Sequence, residues 1–570
     1  MIVGIDLGTT NSLVAVWRDG KPEPIPNALG ELLTPSCVSL DDDGTILVGR
    51  AARERLQTHP ERTAAVFKRY MGSDRTFRLG TREFRPEELS ALVLRSLKAD
   101  AEAHLGVPVH EAIVSVPAYF SDAQRKATRA AGQLAGLKVD RLLNEPTAAA
   151  LAYGMHQRGS ETRFLVFDLG GGTFDVSILE MFEGVMEVRA TAGDNLLGGE
   201  DFNACLVDLF FERRNLSAAL RQDRGFLHRL GAQAEAAKRA LSTHREATMQ
   251  VRDGETEHAL TVDEAAFEAA SAQLLKRLRG PVERALRDAS LRASQLDAVV
   301  LAGGATRMPM IRRLATTLFG RFPLVELDPD QVVALGAAVQ AGLKARDAAL
   351  REVVMTDVAP YSMGLEVVKR LADGAIVAGH FDPVIERNVA VPVSRSKTYF
   401  PVREGQREIE LCIYQGEARL VADDILLGKL HVPLPEGPIH ECGVEVRFTY
   451  DVNGLLEVEA AVLKTGNMSR LVIEGNPGLL TPEEIDARLK ALSDLKIHPR
   501  ERLENRTALA RGERLYQQLR GERREWLAAR ILEFEQILSA GDPRRASAAR
   551  RALEDQLDRL EREPLFDGPG

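Results

Sequence analysis

The chain is poor in several features that would classify it at once. Its four cysteines, Cys37, Cys205, Cys412 and Cys442, are scattered through 570 residues without C-x-x-C spacing. That argues against a disulfide framework or a cysteine zinc site and for reduced thiols in a cytoplasmic protein. No apolar run is long enough to cross a bilayer, so no membrane segment is expected. The N-terminus opens on a strand and a glycine turn rather than a charged leader and an apolar core, so no secretory signal is expected either. A basic surplus is missing too: the net charge of −9 excludes a general nucleic-acid footprint. There is no internal repeat and no low-complexity tract. G-x-x-x-x-G-K-[ST] does not occur, which excludes a P-loop enzyme. At this length several domains are expected rather than one core.

What is present is glycine at strand ends. In Phe164-Leu165-Val166-Phe167-Asp168-Leu169-Gly170-Gly171-Gly172-Thr173-Phe174-Asp175-Val176-Ser177-Ile178 an apolar run enters a glycine triplet and alternating residues leave it. The pattern predicts a β-hairpin whose bare turn offers backbone N–H groups to an anion. Asp168 and Thr173 add a carboxylate and a hydroxyl, a set suited to phosphate and a divalent cation. A lone run of this kind could equally be a tight hairpin. The pattern returns, however, in Ile2-Val3-Gly4-Ile5-Asp6-Leu7-Gly8-Thr9-Thr10-Asn11-Ser12, and in Val299-Val300-Leu301-Ala302-Gly303-Gly304-Ala305-Thr306-Arg307, which ends a strand and opens a helix. Three such strand ends suggest a nucleotide held between two lobes.

These segments, with Val116-Pro117-Ala118-Tyr119-Phe120, Asn144-Glu145-Pro146-Thr147-Ala148-Ala149-Ala150 and Gly198-Gly199-Glu200-Asp201-Phe202, resemble the actin-like ATPases. Among these the chain is similar to the DnaK-type chaperones of the heat shock protein 70 family, over nearly its whole length. Size and the divergent C-terminal part look closest to the HscC subtype. The resemblance implies a multidomain protein. An actin-like α/β ATPase domain (two lobes, ribonuclease H-like) would fill residues 1–348. A linker at 349–359, a β-sandwich peptide-binding domain at 360–478 and an α-helical lid at 479–570 would follow.

The residues support the same division. Strand and helix signals alternate up to about residue 348. Ser121-Asp122-Ala123-Gln124 reads as a capped helix start, and Ala232–Leu241 as a helix with Glu235, Lys238, Arg239 and Ser242 near one face. After the short apolar stretch Glu352–Pro360 the period changes to two: Ile409, Leu411 and Ile413 alternate with polar neighbours, as do Val444, Val446, Phe448 and Tyr450. Asn453-Gly454 then signals a hairpin turn. Thr481-Pro482-Glu483-Glu484 signals a helix N-terminus. Leu527, Ile531, Phe534 and Leu538, then Leu553, Leu557 and Leu560, form apolar stripes of a helical bundle, with a break at Gly541-Asp542-Pro543.

ATP hydrolysis requires that the γ-phosphate be neutralised and a water placed in line with it. Asp6, Glu145 and Asp168 are the candidates to hold Mg²⁺ through its waters. By resemblance, Lys68 reaches the γ-phosphate and orients the attacking water, Thr173 bonds the phosphate or the water, and Asp175 helps hold a monovalent cation, K⁺. Lys68, Glu145, Asp168 and Thr173 form the catalytic set. The resemblance also assigns Gly8, Thr9, Thr10, Asn11, Gly170, Gly171, Gly172, Gly198, Gly199, Gly303, Gly304, Ala305, Arg307 and Asp330 to the nucleotide. Glu235, Lys238, Arg239 and Ser242 would clasp the adenosine. The family usually has Ser where Ala305 stands, which removes one hydrogen bond. No arginine finger or strong base is evident, so hydrolysis should be slow, a timer more than a metabolic step.

For the β-domain the resemblance implies a groove for extended apolar client peptides. Leu365, Val367 and Val368 would lie in a loop arching over the peptide, and Tyr399, Ile409, Leu411 and Ile413 in its pocket. By spacing alone, alternating Ile and Leu are ordinary sandwich core. Pro117 with Arg125 matches a relay from nucleotide to linker, and Arg141 with Asp357 matches the docking place of a J-domain co-chaperone. A nucleotide-exchange factor is a further expected partner. Thr356 interrupts the apolar linker, which predicts weaker docking on the ATPase domain. The protein is expected to be a monomer with neither nucleic acid nor membrane among its partners. Three alternatives stand beside this: an actin-fold small-molecule kinase, an actin-like filament protein, and a regulatory module that keeps the ATPase domain for shape. The attached sandwich and lid speak against the first two, and intact Lys68, Glu145, Asp168 and Thr173 against the third.

Overall fold

The computed structural model describes residues 1–139, 141–154, 162–182, 185–324, 326–347, 350, 354–370, 376–391, 393–450, 456–473, 499–539 and 543–562. Asn453-Gly454, Thr481–Glu484, Gly541-Asp542 and the start of the linker lie outside them.

Two sheets of matching topology carry the glycine turns. In the first lobe, strand Ile2–Asp6 runs parallel to Glu111–Val116 on one side and antiparallel to Asn11–Arg18 on the other. In the second, Thr162–Leu169 runs parallel to Ala298–Ala302 and antiparallel to Phe174–Phe182. Both central strands are continuous apolar runs because both of their faces are covered. Val3 and Ile5 pack with helices Pro86–Leu105 and Asp122–Leu134, while Leu13 and Ala15 on the neighbouring strand meet Ala334 and Ala338 of helix Val332–Lys344. The capping box expected at Ser121 is formed with Gln124. Helix Arg224–Ala240 begins a full two turns before the expected Ala232, capped by Asp223.

The lobes meet where helix Val332–Lys344 crosses helix Glu145–Gly154. A Cβ on Gly336 would stand 1.7 Å from the carbonyl oxygen of Ala148. No residue but glycine lets the two backbones come this close.

Strand Val354–Val358 extends the second sheet, pairing parallel with Val185–Glu187, Thr356 opposite Glu187. The threonine does not interrupt this pairing, which runs through the backbone.

The period-two region folds as two four-stranded antiparallel sheets. One contains Met363–Arg370 and Glu408–Gln415, the other Val444–Tyr450 and Leu456–Val462, and alternate residues of all four share one core. Helices Pro499–Gln518, Gly521–Ser539 and Pro543–Arg562 follow. Leu527, Phe534, Leu553 and Leu557 are buried among them, with Ile531, Leu538 and Leu560 packed alongside, so the expected stripes do form a bundle core.

The β-sheets lie against the lobes. Asp288 accepts from Arg387 Nε at 2.8 Å and from Asn388 Nδ2 at 2.9 Å. The Tyr361 hydroxyl donates to the Tyr119 carbonyl at 2.6 Å, the rings 4.4 Å apart. No helix among the described residues is long and apolar enough to cross a membrane.

Candidate nucleotide site

Two hairpin turns face each other between the lobes. Asp6 pairs with Leu13 and Leu169 with Phe174, which leaves Leu7–Ser12 and Gly170–Thr173 to make the turns. They abut closely. A Cβ on Gly171 would lie 2.4 Å from Thr10 Cγ2, and one on Gly172 would lie 2.6 Å from Thr9 Cγ2. The glycines are there because any side chain would fill the space between the turns. The third turn closes the same cleft. Gly303 takes φ +80°, and a Cβ on Gly304 would meet Asp330 Oδ1 at 2.5 Å.

The cleft is lined by Asp6, Gly8, Thr9, Thr10, Asn11, Lys68, Glu145, Asp168, Gly170, Gly171, Thr173, Gly303, Gly304 and Asp330, which the sequence reading had assigned to the site, and by Ser12, Leu13, Leu33, Pro329 and Val333, which it had not. Gly172, Gly198 and Gly199 stand behind the turn: a Cβ on Gly198 would press on Gly172 N at 2.5 Å. Asp175 is buried behind it as well, accepting from Tyr119 N at 3.1 Å.

Negative charge is crowded here. Lys68 Nζ sits 2.6 Å from Glu145 Oε1, both side chains buried, and 5.6 Å from the Phe120 ring. Asp6 accepts from Ser115 Oγ at 2.8 Å. Burial, then the charge of Glu145, pushes the Asp6 carboxyl up to about 7 and that of Asp175 up to about 8. Asp168 is raised well above the carboxylate range by burial, then by Glu145, Asp175 and Asp6. One oxygen of Asp168, Oδ2, is buried without a hydrogen-bond partner. Surplus buried carboxylate and an orphaned acceptor make a setting that a cation relieves. No three His, Cys, Asp or Glu side chains among the described residues are grouped to ligate a bare ion. Mg²⁺ suits this, because it keeps several waters and takes further oxygens from phosphate.

Glu235, Lys238, Arg239 and Ser242 form a separate cluster beside the cleft. Glu235 is 2.6 Å from both Lys238 Nζ and Arg239 Nε, and 2.9 Å from Asn203 Nδ2. Burial works against the Glu235 carboxylate, but Lys238 and Arg239 outweigh it and hold the group at about 2. Lys238 Nζ donates to the Gly199 carbonyl at 3.0 Å, and Ser242 Oγ to the Lys238 carbonyl at 3.4 Å. Ala305 is buried, close to Gly199. Arg307 Nε donates to Asp330 Oδ2 at 2.8 Å.

Sequence reasoning missed Arg69, Ser115 and Asn203. Arg69 ties the lobes, Nε donating to the Gly172 carbonyl at 3.1 Å and Nη1 to Asp201 at 3.3 Å. Nothing in its neighbourhood in the chain signals a partner 132 positions away.

From the cleft a hydrogen-bonded path reaches the linker. Arg125 donates to the Ala118 carbonyl at 3.0 Å, close to Pro117, and to Asn144 Oδ1 at 2.7 Å; Asn144 Nδ2 donates to Asp357 Oδ2 at 2.8 Å. Asn144 had no assigned role. Burial lowers the Arg141 guanidinium, against which the charge of Asp357 acts.

In the β-sheets, Leu365, Leu411 and Ile413 lie inside the core, while Tyr399 and Ile409 are partly buried. The expected arching loop is corrected: Leu365, Val367 and Val368 belong to strand Met363–Arg370, with Leu365 opposite Asp382 and Ile413. Val367 is half-buried, and Val368 is exposed.

Over residues 2–78 and 75–564 the sequence matches the Hsp70 protein family. The chain belongs to the Hsp70 family. It is 43% identical over 520 residues to the chaperone protein DnaK of Thermotoga petrophila, covering 87% of this chain and 86% of that one. It is 42% identical to DnaK of Thermosipho africanus over 486 residues (83% and 80%). It is 40% identical to the chaperone protein dnaK3 of Thermosynechococcus vestitus over 606 residues (98% and 87%). This Hsp70 is an ATP-dependent molecular chaperone and an ATPase, with an actin-like nucleotide-binding domain and a peptide-binding domain. Family membership carries with it Mg²⁺-dependent nucleotide binding, unfolded clients and co-chaperones. The kinase and filament alternatives are not supported.

Proposed function

We propose that ATP in the cleft of this Hsp70 controls a peptide clamp in the β-sheets through the linker strand. One observation carries the reading. Strand Val354–Val358 joins the nucleotide lobe's sheet, and Asp357 is tied through Asn144 to Arg125 beside the cleft. Any rotation of the lobes that disturbs Asn144 loosens the linker, and a loosened linker frees the β-sheets.

In the cleft, the backbone N–H groups of Gly8–Asn11 and Gly170–Gly172 bind the phosphates. Glu145 steadies the Lys68 ammonium, which orients the attacking water and offsets charge on the γ-phosphoryl oxygens as the bond to the β-phosphate oxygen breaks. Thr173 hydrogen-bonds the water or the phosphate. Asp6, Glu145 and Asp168 would hold hydrated Mg²⁺, which supplies charge neutralisation when bound, and Asp175 a K⁺ ion. Glu235, Lys238, Arg239 and Ser242 clasp the adenosine.

The domains run 1–348, 349–359, 360–478 and 479–570. ATP favours the open, fast-exchanging clamp and ADP the closed one. Extended apolar segments bind by β-pairing, with Val367, Val368, Tyr399 and Ile409 at the surface of the groove. A J-domain partner docks near Arg141 and Asp357 and speeds hydrolysis; an exchange factor is a further partner. The protein works as a cytoplasmic monomer of DnaK type, the name that the three relatives above carry. The test is peptide release measured with Mg-ATP and with Mg-ADP, with and without J-domain proteins. Faster release with ATP supports the reading, and equal rates refute it.

A further inference from the structure

A cleft that opens by lobe rotation is held by whatever joins its rims. One rim is helix Arg50–Thr58 of the first lobe. The other is helix Arg224–Ala240 of the second, with strand Glu246–Asp253 beside it. The rims touch, and they carry like charges, Arg53 and Arg239, near enough for each to feel the other.

Helix Pro499–Gln518 packs on the first rim and reaches the second through its last residue. Arg514 Nε donates to Glu54 Oε2 at 2.6 Å, in a pair whose side chains keep only 17% and 14% of their surface. Gln518 Nε2 donates to Gln57 Oε1 at 3.5 Å. The Gln518 carbonyl, at the end of the same helix, accepts from Arg252 Nη1 at 3.3 Å, and Arg252 belongs to the second lobe. A guanidinium there satisfies a carbonyl that the helix leaves open and complements the negative end of its dipole. One helix is thus ion-paired to one lobe and capped by the other.

We propose that helix Pro499–Gln518 is a strap across the nucleotide cleft that slows ATP release, and that peptide capture, by drawing this helix away, speeds it. The inference rests on the reading above, in which the helix belongs to a lid that moves over bound peptide. Opening the cleft with the strap in place must break either the Arg514–Glu54 pair or the Arg252 cap. Breaking a largely desolvated pair leaves its members poorly compensated. The linkage is reciprocal: a peptide that favours the lifted helix weakens nucleotide retention, and bound nucleotide favours the docked helix by the same factor.

The full chain is loaded with Mg²⁺ and an N-methylanthraniloyl derivative of a non-hydrolysable ATP analogue, then chased with excess ATP in stopped flow. Arg514→Glu should speed release about three- to tenfold, between the effects of losing an exposed pair and a fully buried one. The swap Glu54→Arg with Arg514→Glu should restore the slow rate. An unfolded apolar peptide should speed release from the unaltered chain but not from Arg514→Glu. Hydrogen exchange of helix Arg50–Thr58 reports undocking independently of nucleotide. If that helix loses protection in Arg514→Glu while release is unchanged, the strap is overturned. It is overturned equally if the swap restores protection but not the slow rate. An unaltered chain that binds no nucleotide defeats the functional reading itself, whereas tight binding with lid-independent release defeats the strap alone.

Discussion

Lys68 is set against three buried carboxyls and the half-buried Asp6, and pairs with one of them, Glu145. Lys68→Ala should cut ATP turnover by about a hundredfold or more, the scale of losing one preorganised charge at the reacting centre. Calorimetry with Mg-ATP should still find binding, since the turn backbones remain; loss of folding would make Lys68 a structural residue instead. A second expectation concerns protons. The folded, ligand-free chain keeps Asp6 and Asp175 protonated to about 7 and about 8, whereas the unfolded chain ionises them near the ordinary value of 3.8. Between those values the folded state binds more protons, so this contribution to stability is fully present at low pH and lost as pH rises toward 8. Melting temperature of the ligand-free chain should fall over that window, and Asp175→Asn should flatten the fall. An equally steep fall in the variant would remove Asp175 as a source. At this scale the glycine turns were legible, because each is written in consecutive residues. Arg69 and Asn203 were not, because their partners Asp201 and Glu235 come from separate elements brought near by folding.

Elements repeat that lesson. The glycine hairpin at Leu169–Phe174, the alternating strands and the apolar stripes of the last helices follow from local patterns and are where these put them. What periodicity could not give is how a strand ends or whom it pairs with. Leu365–Val368 continue as a strand because Asp382, Phe381 and His380 stand opposite, and Thr356 docks because Glu187 offers its backbone. That pairing can be broken at one point. Thr356→Pro removes an N–H and fixes φ in a pleated strand. It should leave basal ATP turnover within about twofold while abolishing the acceleration of peptide release by ATP. Retained acceleration would mean that the strand does not transmit. Gly336 is the packing counterpart. Gly336→Ala drives a methyl into the Ala148 carbonyl, and calorimetry should show destabilisation of about 1–3 kcal/mol, the range for overpacked cores.

Across the whole molecule, the β-sheets and last helices are held against the lobes by polar contacts, among them Arg387 and Asn388 on Asp288, Tyr361 on Tyr119, and Arg514 on Glu54. Interfaces of this polar kind open readily. Asp288→Ala should raise the radius of gyration of the Mg-ATP form in small-angle scattering toward that of the ADP form, with basal turnover kept. Identical profiles would show that Asp288 does not hold the docked arrangement. The crossing at Gly336 and Ala148 sets how the lobes themselves can travel. With two backbones in contact there, the lobes cannot approach further at that point, and a rotation of one against the other takes it as a fulcrum. Displacement then grows with distance from the crossing, so a twist of small angle at the pivot becomes the widest gap at the far ends.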